Sequence, residues 1–350
     1  MPKQPKKLLI MNILDILKKN TDENHRLSQR EIVDLLAREY EMSVDRKAVR
    51  RNLMDLIDCG YYIKYSETTR VTPNSKTGEP EENTILTDFY LQRDLSNGEL
   101  RLLIDTLIAS RHIPRGQCLA LIKKLAALAS TYFQSQIQHI ASMPQDRTDN
   151  YELFLTIEEL GKAIARQKKV RFQYREYGMD KKLHPRTRED GTPREYVVTP
   201  YQLAVQEGKY YLICNYDKYD DISNYRLDRI SNIEILDEPG KPFETLKWSN
   251  GSTLDLAAYM KEHPYMYAGE NVHAKLRIVR AMVGDMIDIF GKDIRFSDER
   301  DGYVTVAVYA NEVAVEQFAR NYGPDVVVLE PRKVRDKIRA SLVESLGNYQ

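Results

Sequence analysis

The sequence predicts an α+β chain of several domains. Three observations carry this: a length of 350 residues, a helical apolar period over the first sixty residues and again over 96–138, and strand alternation concentrated between 168 and 236. A single core stops growing near about 250–300 residues, so a chain of this length divides. Strands and helices intermingled beyond residue 271 put it in the α+β class. The ranges expected are 1–95, 96–150, 151–238, a linker over 239–270, and 271–350.

The first domain opens with Ile10, Ile13, Leu14 and Leu17 at three- and four-residue spacing, an amphipathic helix. Ser28-Gln29-Arg30-Glu31 has the form of a capping box, in which the serine oxygen takes an orphan amide and the glutamate reaches back. A second helix runs through Ile32, Leu35 and Leu36 to about Tyr40. After a turn at Glu41-Met42, Ser43 or Asp45 can cap a third helix with the stripe Val49, Leu53 and Leu56, and Gly60 stands at its stop.

Helix, short turn, helix is the layout of a helix-turn-helix. At about 100° per residue, Lys47 and Arg51 fall nearly opposite the Val49 stripe, with Arg50 to one side and Arg46 near the margin. Such a face can cradle phosphates and reach base edges in a major groove. A merely solvated face has the same pattern, and Asp45, Asp55 and Asp58 dilute its charge.

Tyr61 to Tyr65 and Ile85 to Leu91 then read as two strands joined by a polar tip from Arg70 to Asn83, the shape of a wing. Lys64, Arg70 and Lys76 suit a duplex backbone, whereas Glu79, Glu81 and Glu82 repel it. From Ser96 to Gln138 the stripes Leu100, Leu103, Ile104, Leu107, Ile108 and Leu119, Ile122, Leu125, Leu128 make a helical connector; a dimer surface would look the same. The breaker-containing run Ser142 to Asn150, with Pro144, is the expected hinge.

The third domain begins with a helix from Glu152 to Gln167 and a strand in which Val170, Phe172 and Tyr174 face one way and Arg171, Gln173 and Arg175 the other. Further on, Tyr210, Leu212 and Cys214 alternate with Tyr211, Ile213 and Asn215, and a strand through Tyr225 and Arg226 returns after a turn. An antiparallel barrel with a tyrosine core and solvated arginines is one reading, and a binding surface is the other. Lys and Arg total 52 against 52 Asp and Glu, so any nucleic-acid binding is local. From Lys162 to Arg194 cations dominate, opposed only by Glu176, Asp180, Glu189 and Asp190. Aromatics beside arginines can stack on bases and neutralise phosphates.

Glu238 to Phe243 reads as a linker. Strand 273–279, helix 283–290, strand 294–297, strand 303–309, helix 312–322, strand 326–329 and a last helix from Pro331 make a small α+β unit.

Chemistry is expected to be absent. Cys59, Cys118 and Cys214 form no CxxC pair and lack a histidine at metal spacing. No Gly-rich phosphate loop or GxSxG elbow occurs, and neither Asp228 beside Arg226 nor His184 near Arg186 has an acid–base partner at a persuasive spacing. No run approaches the roughly 18 apolar residues of a membrane helix. In the N-terminal apolar run, Asn12, Asp15 and Lys18 fall at helical intervals unlike a signal peptide. A cytoplasmic protein with no enzyme activity, no cofactor and no membrane partner is the expectation.

Tyr210-Tyr211-Leu212, with Thr199-Pro200-Tyr201-Gln202-Leu203 before it and Tyr225-Arg226-Leu227-Asp228-Arg229-Ile230 after it, resembles a WYL domain, an Sm-like barrel named for a Trp-Tyr-Leu triplet. Tyrosine in place of tryptophan keeps an aromatic, shrinks the ring and adds a hydroxyl. The order winged helix-turn-helix, helical connector, Sm-like barrel and C-terminal extension, here expected to be ferredoxin-like, resembles WYL-domain transcriptional regulators over nearly the whole chain. The resemblance implies a DNA-binding protein, usually a homodimer, whose barrel senses a nucleic acid or nucleotide and adjusts affinity for double-stranded operator DNA. Phage defence and DNA-damage control are among the implied roles. The DNA-contact set is then Gln29, Ser43, Arg46, Lys47, Arg50 and Arg51, and the ligand set Arg171, Tyr201, Tyr210, Tyr211, Arg226 and Arg229. A module that binds RNA or single-stranded DNA without a transcriptional role is the alternative.

Overall fold

A computed structural model describes residues 5–73, 80–136, 147–247, 249 and 253–349. The chain divides into two units, Met1–Ala109 with Arg115–Asp146, and Ser110–Pro114 with Arg147–Gln350. It is a mixed α/β protein with several separate sheets.

In the first unit, α1 (Leu9–Asn20), α2 (Gln29–Tyr40) and α3 (Arg46–Asp58) each bury one stripe: Ile13, Ile16 and Leu17, then Ile32 and Leu36, then Val49, Leu53 and Leu56. The capping box is complete, since the Glu31 amide donates to the Ser28 hydroxyl at 3.3 Å and the Ser28 amide to the Glu31 carboxylate at 2.7 Å. At α3 it is Asp45, rather than Ser43, that caps, its carboxylate accepting from the Ala48 amide at 2.7 Å.

Strands β1 (Ile63–Pro73) and β2 (Pro80–Leu91) form a two-stranded antiparallel ribbon. A bridge between Leu27 and buried Phe89 pins its base to the approach of α2. The helical stretch from Ser96 is divided into α4 (Asn97–Ala109), α5 (Arg115–Ala126) and α6 (Thr131–Gln136). Pro114 stands at the first break, where it offers no amide hydrogen and disfavours a helical Ile113. Leu100, Ile104 and Ile122 are buried, but Leu103, Leu119 and Leu128 of the expected stripes are exposed. The expected hinge residue Pro144 and the wing residue Lys76 lie outside the described residues.

The second unit starts with α7 (Leu153–Ala165) and an antiparallel six-stranded sheet: β3 (Lys168–Tyr177), β4 (Leu183–Pro185), β5 (Glu195–Gln206), β6 (Lys209–Tyr216), β7 (Ile222–Arg226) and β8 (Ile230–Pro239). The order is β4-β3-β5-β6-β7, with β8 on β3. Glu207 (φ 50°) and Gly208 (φ 70°) both take positive φ in the two-residue β5–β6 turn, which matches the strand twist. Val170, Phe172, Val198, Leu212, Leu227 and Ile230 are fully buried. The closed barrel expected from the resemblance is not formed. The short 3-10 turn Leu227–Arg229 carries the chain from β7 to β8, so among the described residues these strands meet at a corner instead of a ladder.

The other face of β5–β7 is covered by Phe243, Leu246 and Met266 together with Tyr259 of α8 (Leu256–Glu262), all packed on Ala204, Ile213 and Ile222. Beyond it, β9 (Asn271–Val279), α9 (Val283–Phe290), β10 (Arg295–Arg300), β11 (Tyr303–Asn311), α10 (Glu312–Asn321), β12 (Val326–Glu330) and α11 (Arg332–Gly347) form a βαββαβ unit with a final helix. Its sheet order, β10-β11-β9-β12, is that of a split βαβ, the ferredoxin-like arrangement. Leu276, Val306, Phe290, Phe318 and Val334 lie in its core.

Candidate functional site

Two candidate surfaces stand one in each unit. On α3, burial of Val49, Leu53 and Leu56 turns Arg46, Lys47, Arg50 and Arg51 to solvent. None of the four has an ion-pair partner among the described residues. A helix whose cations are not neutralised by its own protein can neutralise phosphates. Ser43 is exposed in the turn before the helix. Gln29 differs from the expectation: half-buried, it donates from Nε2 to the Leu86 carbonyl at 2.9 Å, tying the start of α2 to the ribbon. Lys64 is exposed on β1, and the Arg70 side chain lies outside the description.

In the second unit the ladder places Tyr211 of β6 directly opposite Arg226 of β7 and Leu212 opposite Tyr225. Tyr225 meets the rings of Tyr174 at 5.1 Å, Phe172 at 5.3 Å and Tyr196 at 5.5 Å, all edge-on or steeply inclined. Arg186 lies over Tyr174 at 5.3 Å and Arg194 over Tyr196 at 4.9 Å. Burial pushes the Tyr174 and Tyr225 hydroxyls above the ordinary phenol value, so both stay neutral. The Arg226 amide donates to the Tyr174 hydroxyl at 3.2 Å, fixing the corner to the ring cluster.

Arg226 holds Asp228 through two hydrogen bonds, Nε to Oδ1 at 3.0 Å and Nη2 to Oδ2 at 2.7 Å. His112 Nδ1 lies 3.6 Å from Oδ2 of the same carboxylate. Burial alone raises the Asp228 pKa, yet contacts from His112 and Arg226 outweigh it and lower the group to about 2. Arg229 is half-buried; its Nε is closed to solvent and has no hydrogen-bond partner among the described residues. Leaving such a donor unpaired costs about 1–3 kcal/mol, which an incoming acceptor would recover.

Tyr211, Arg226 and Arg229 of the expected ligand set therefore lie at or beside this corner. Arg171 does not: it is on the opposite face of β3 from Phe172 and Tyr174 and pairs with Glu234 at 2.6 Å. Tyr201 sits at the irregularity between Pro200 and Gln202, stacks edge-on against Phe243 at 5.3 Å and donates to the Lys241 carbonyl at 2.9 Å. That makes Tyr201 a packing residue under the linker segment. Tyr210 is half-buried near the start of β6. Sequence reasoning left Tyr174, Tyr196, Tyr225, Arg186, Arg194 and His112 out of the site. The Phe172–Tyr174 alternation and the cation run were legible signals for Tyr174, Arg186 and Arg194, whereas Tyr196, Tyr225 and His112 join the cluster only through contacts between separate segments.

Residues 156–235 match the WYL domain and residues 270–346 the WCX domain. Both matched segments lie in the second unit. Among solved structures it is similar to proteasome accessory factor B/C (PafBC) of Arthrobacter aurescens at 17% identity and a TM-score of 0.27, with 97% of this chain and 48% of that chain covered. It thus spans about half the length of that protein. It is also similar to a CRISPR Cas-related protein at 15% identity and a TM-score of 0.38, covering 100% of this chain and 87% of the other. No curated protein matches it. No described helix is long and apolar enough to cross a membrane.

Proposed function

We propose that the protein is a sequence-specific, DNA-binding transcriptional regulator whose first unit acts as a winged helix-turn-helix and whose WYL domain senses an anionic ligand, a nucleic acid or nucleotide. The observation that carries this reading is the α3 face, where Arg46, Lys47, Arg50 and Arg51 are exposed with no counter-ion among the described residues. The helix enters a major groove, the β1–β2 ribbon lies along the backbone, and a homodimer presents two such helices to successive grooves. The ligand meets Tyr211, Arg226 and Arg229 at the corner, beside the packed Tyr174, Tyr196 and Tyr225 cluster. No catalytic role is assigned: Asp228 is committed to Arg226 and His112, and His184 pairs with Asp180 at 2.9 Å on the surface.

The test is a gel-shift titration against genomic fragments with the paired substitution Arg50→Ala and Arg51→Ala. Each lost phosphate contact lowers the slope of log affinity against log salt by about 0.9, so the pair lowers it by up to about 2. An unchanged affinity and slope would exclude α3 as the duplex contact. The ring and guanidinium cluster favours a second reading, a module for RNA or single-stranded DNA with no operator. Tight single-strand binding by the full chain, with equally weak binding to every duplex, would select it.

A further inference from the structure

The corner between β7 and β8 also receives a segment from a distant part of the chain. His112 is buried, and its ring reaches the Asp228 carboxylate that Arg226 already holds. Around it, Arg147 Nη1 donates to the Ser110 carbonyl at 2.6 Å and to the Ile113 carbonyl at 3.0 Å, and the Thr148 amide to the Arg111 carbonyl at 3.1 Å. Two residues on, Asn150 Nδ2 donates to the carbonyls of Asp228 at 3.0 Å and Ile230 at 2.7 Å. Residues 110–113 are thus sewn to 147–150, and 147–150 to the corner. The 110–114 loop belongs to the second unit although α4, ending at Ala109, and α5, starting at Arg115, belong to the first. Whatever moves the loop acts on both helices through the covalent chain.

One carboxylate is therefore shared between a ligand-site arginine and a loop histidine. We propose that Asp228 stands in for the ligand's anion: an anionic group arriving beside Arg226 and Arg229 draws Arg226 away, leaves Asp228 to His112, and tightens the 110–114 loop on the corner. The direction follows from the chemistry of a buried carboxylate, which must keep a partner and, with Arg226 withdrawn, turns to the one that remains. Arg229 Nε, closed to solvent and without a hydrogen-bond partner among the described residues, is the donor an arriving acceptor gains once the corner opens to it. The proposal rests on the reading of this corner as an anion-sensing site and adds its regulation.

The experiment is hydrogen exchange on the full chain, first without ligand. Arg226→Gln removes the competing guanidinium, so exchange of the amides of 110–113 slows, by about fivefold for a coupling near 1 kcal/mol. Arg226→Lys, the gentler substitution if the glutamine variant folds poorly, gives a smaller slowing of the same sign. With His112→Gln in the background neither change slows exchange. Equal effects in both backgrounds, or faster exchange in Arg226→Gln and Arg226→Lys alike, would overturn the proposal. The second arm adds a short 5′-phosphorylated oligo-dT: the wild type binds it with protection at 110–113, and His112→Gln binds it without. Binding to the wild type with no change there also overturns the proposal, whereas failure of the wild type to bind rejects the reading of the site and leaves the ligand-free comparison to decide on the shared carboxylate.

Discussion

Arg226 and Asp228, two residues apart around the β7–β8 corner, form a two-bonded ion pair in which the acid is almost wholly buried and the base is partly exposed. A buried carboxylate is costly to strand, so this pair decides both the stability of the corner and the charge it offers a ligand.

The first prediction concerns acid. The Asp228 pKa is lowered to about 2 from an ordinary 3.8, so the charged form is favoured in the folded state. The associated stability is fully present above the unfolded value and is lost as pH falls toward the folded one. A shift of this size corresponds to about 2 kcal/mol. Urea denaturation of wild type and Asp228→Asn is expected to show the variant less stable at pH 7, with the gap closing between about pH 4 and pH 2. A gap independent of pH would mean that the lost geometry, and not the charge, sets the cost.

Arg229 offers the opposite case. Its Nε is buried without a partner among the described residues, so Arg229→Met removes an unsatisfied donor and keeps the apolar stem. Stability is expected to stay within about 1 kcal/mol of wild type, while affinity for single-stranded oligonucleotide, read by fluorescence anisotropy, falls about tenfold. Unchanged affinity would remove Arg229 from the site.

Gln29 separates a structural contact from a DNA contact. Because its amide is bonded to the Leu86 carbonyl, Gln29→Ala should lower stability by about 1 kcal/mol and leave the salt slope of duplex binding as it was. A shallower slope would restore Gln29 to the duplex interface.

The sequence by itself determined what short-range chemistry decides. The Ser28–Glu31 box, the Val49–Leu53–Leu56 stripe and the cations turned away from it needed only helical geometry. Alternation along β3 was equally local, and so were the elements of the βαββαβ unit, whereas β6 is buried on both faces from Leu212 to Asn215. The tertiary structure alone decided which face of each element meets another. It paired Arg171 with Glu234, packed Tyr201 on Phe243, gave Gln29 to Leu86, made a corner of the expected barrel at Leu227–Arg229, and brought His112 to Asp228. Those outcomes depend on pairing register and on contacts between residues far apart in the chain, and periodicity within one segment carries no information about either.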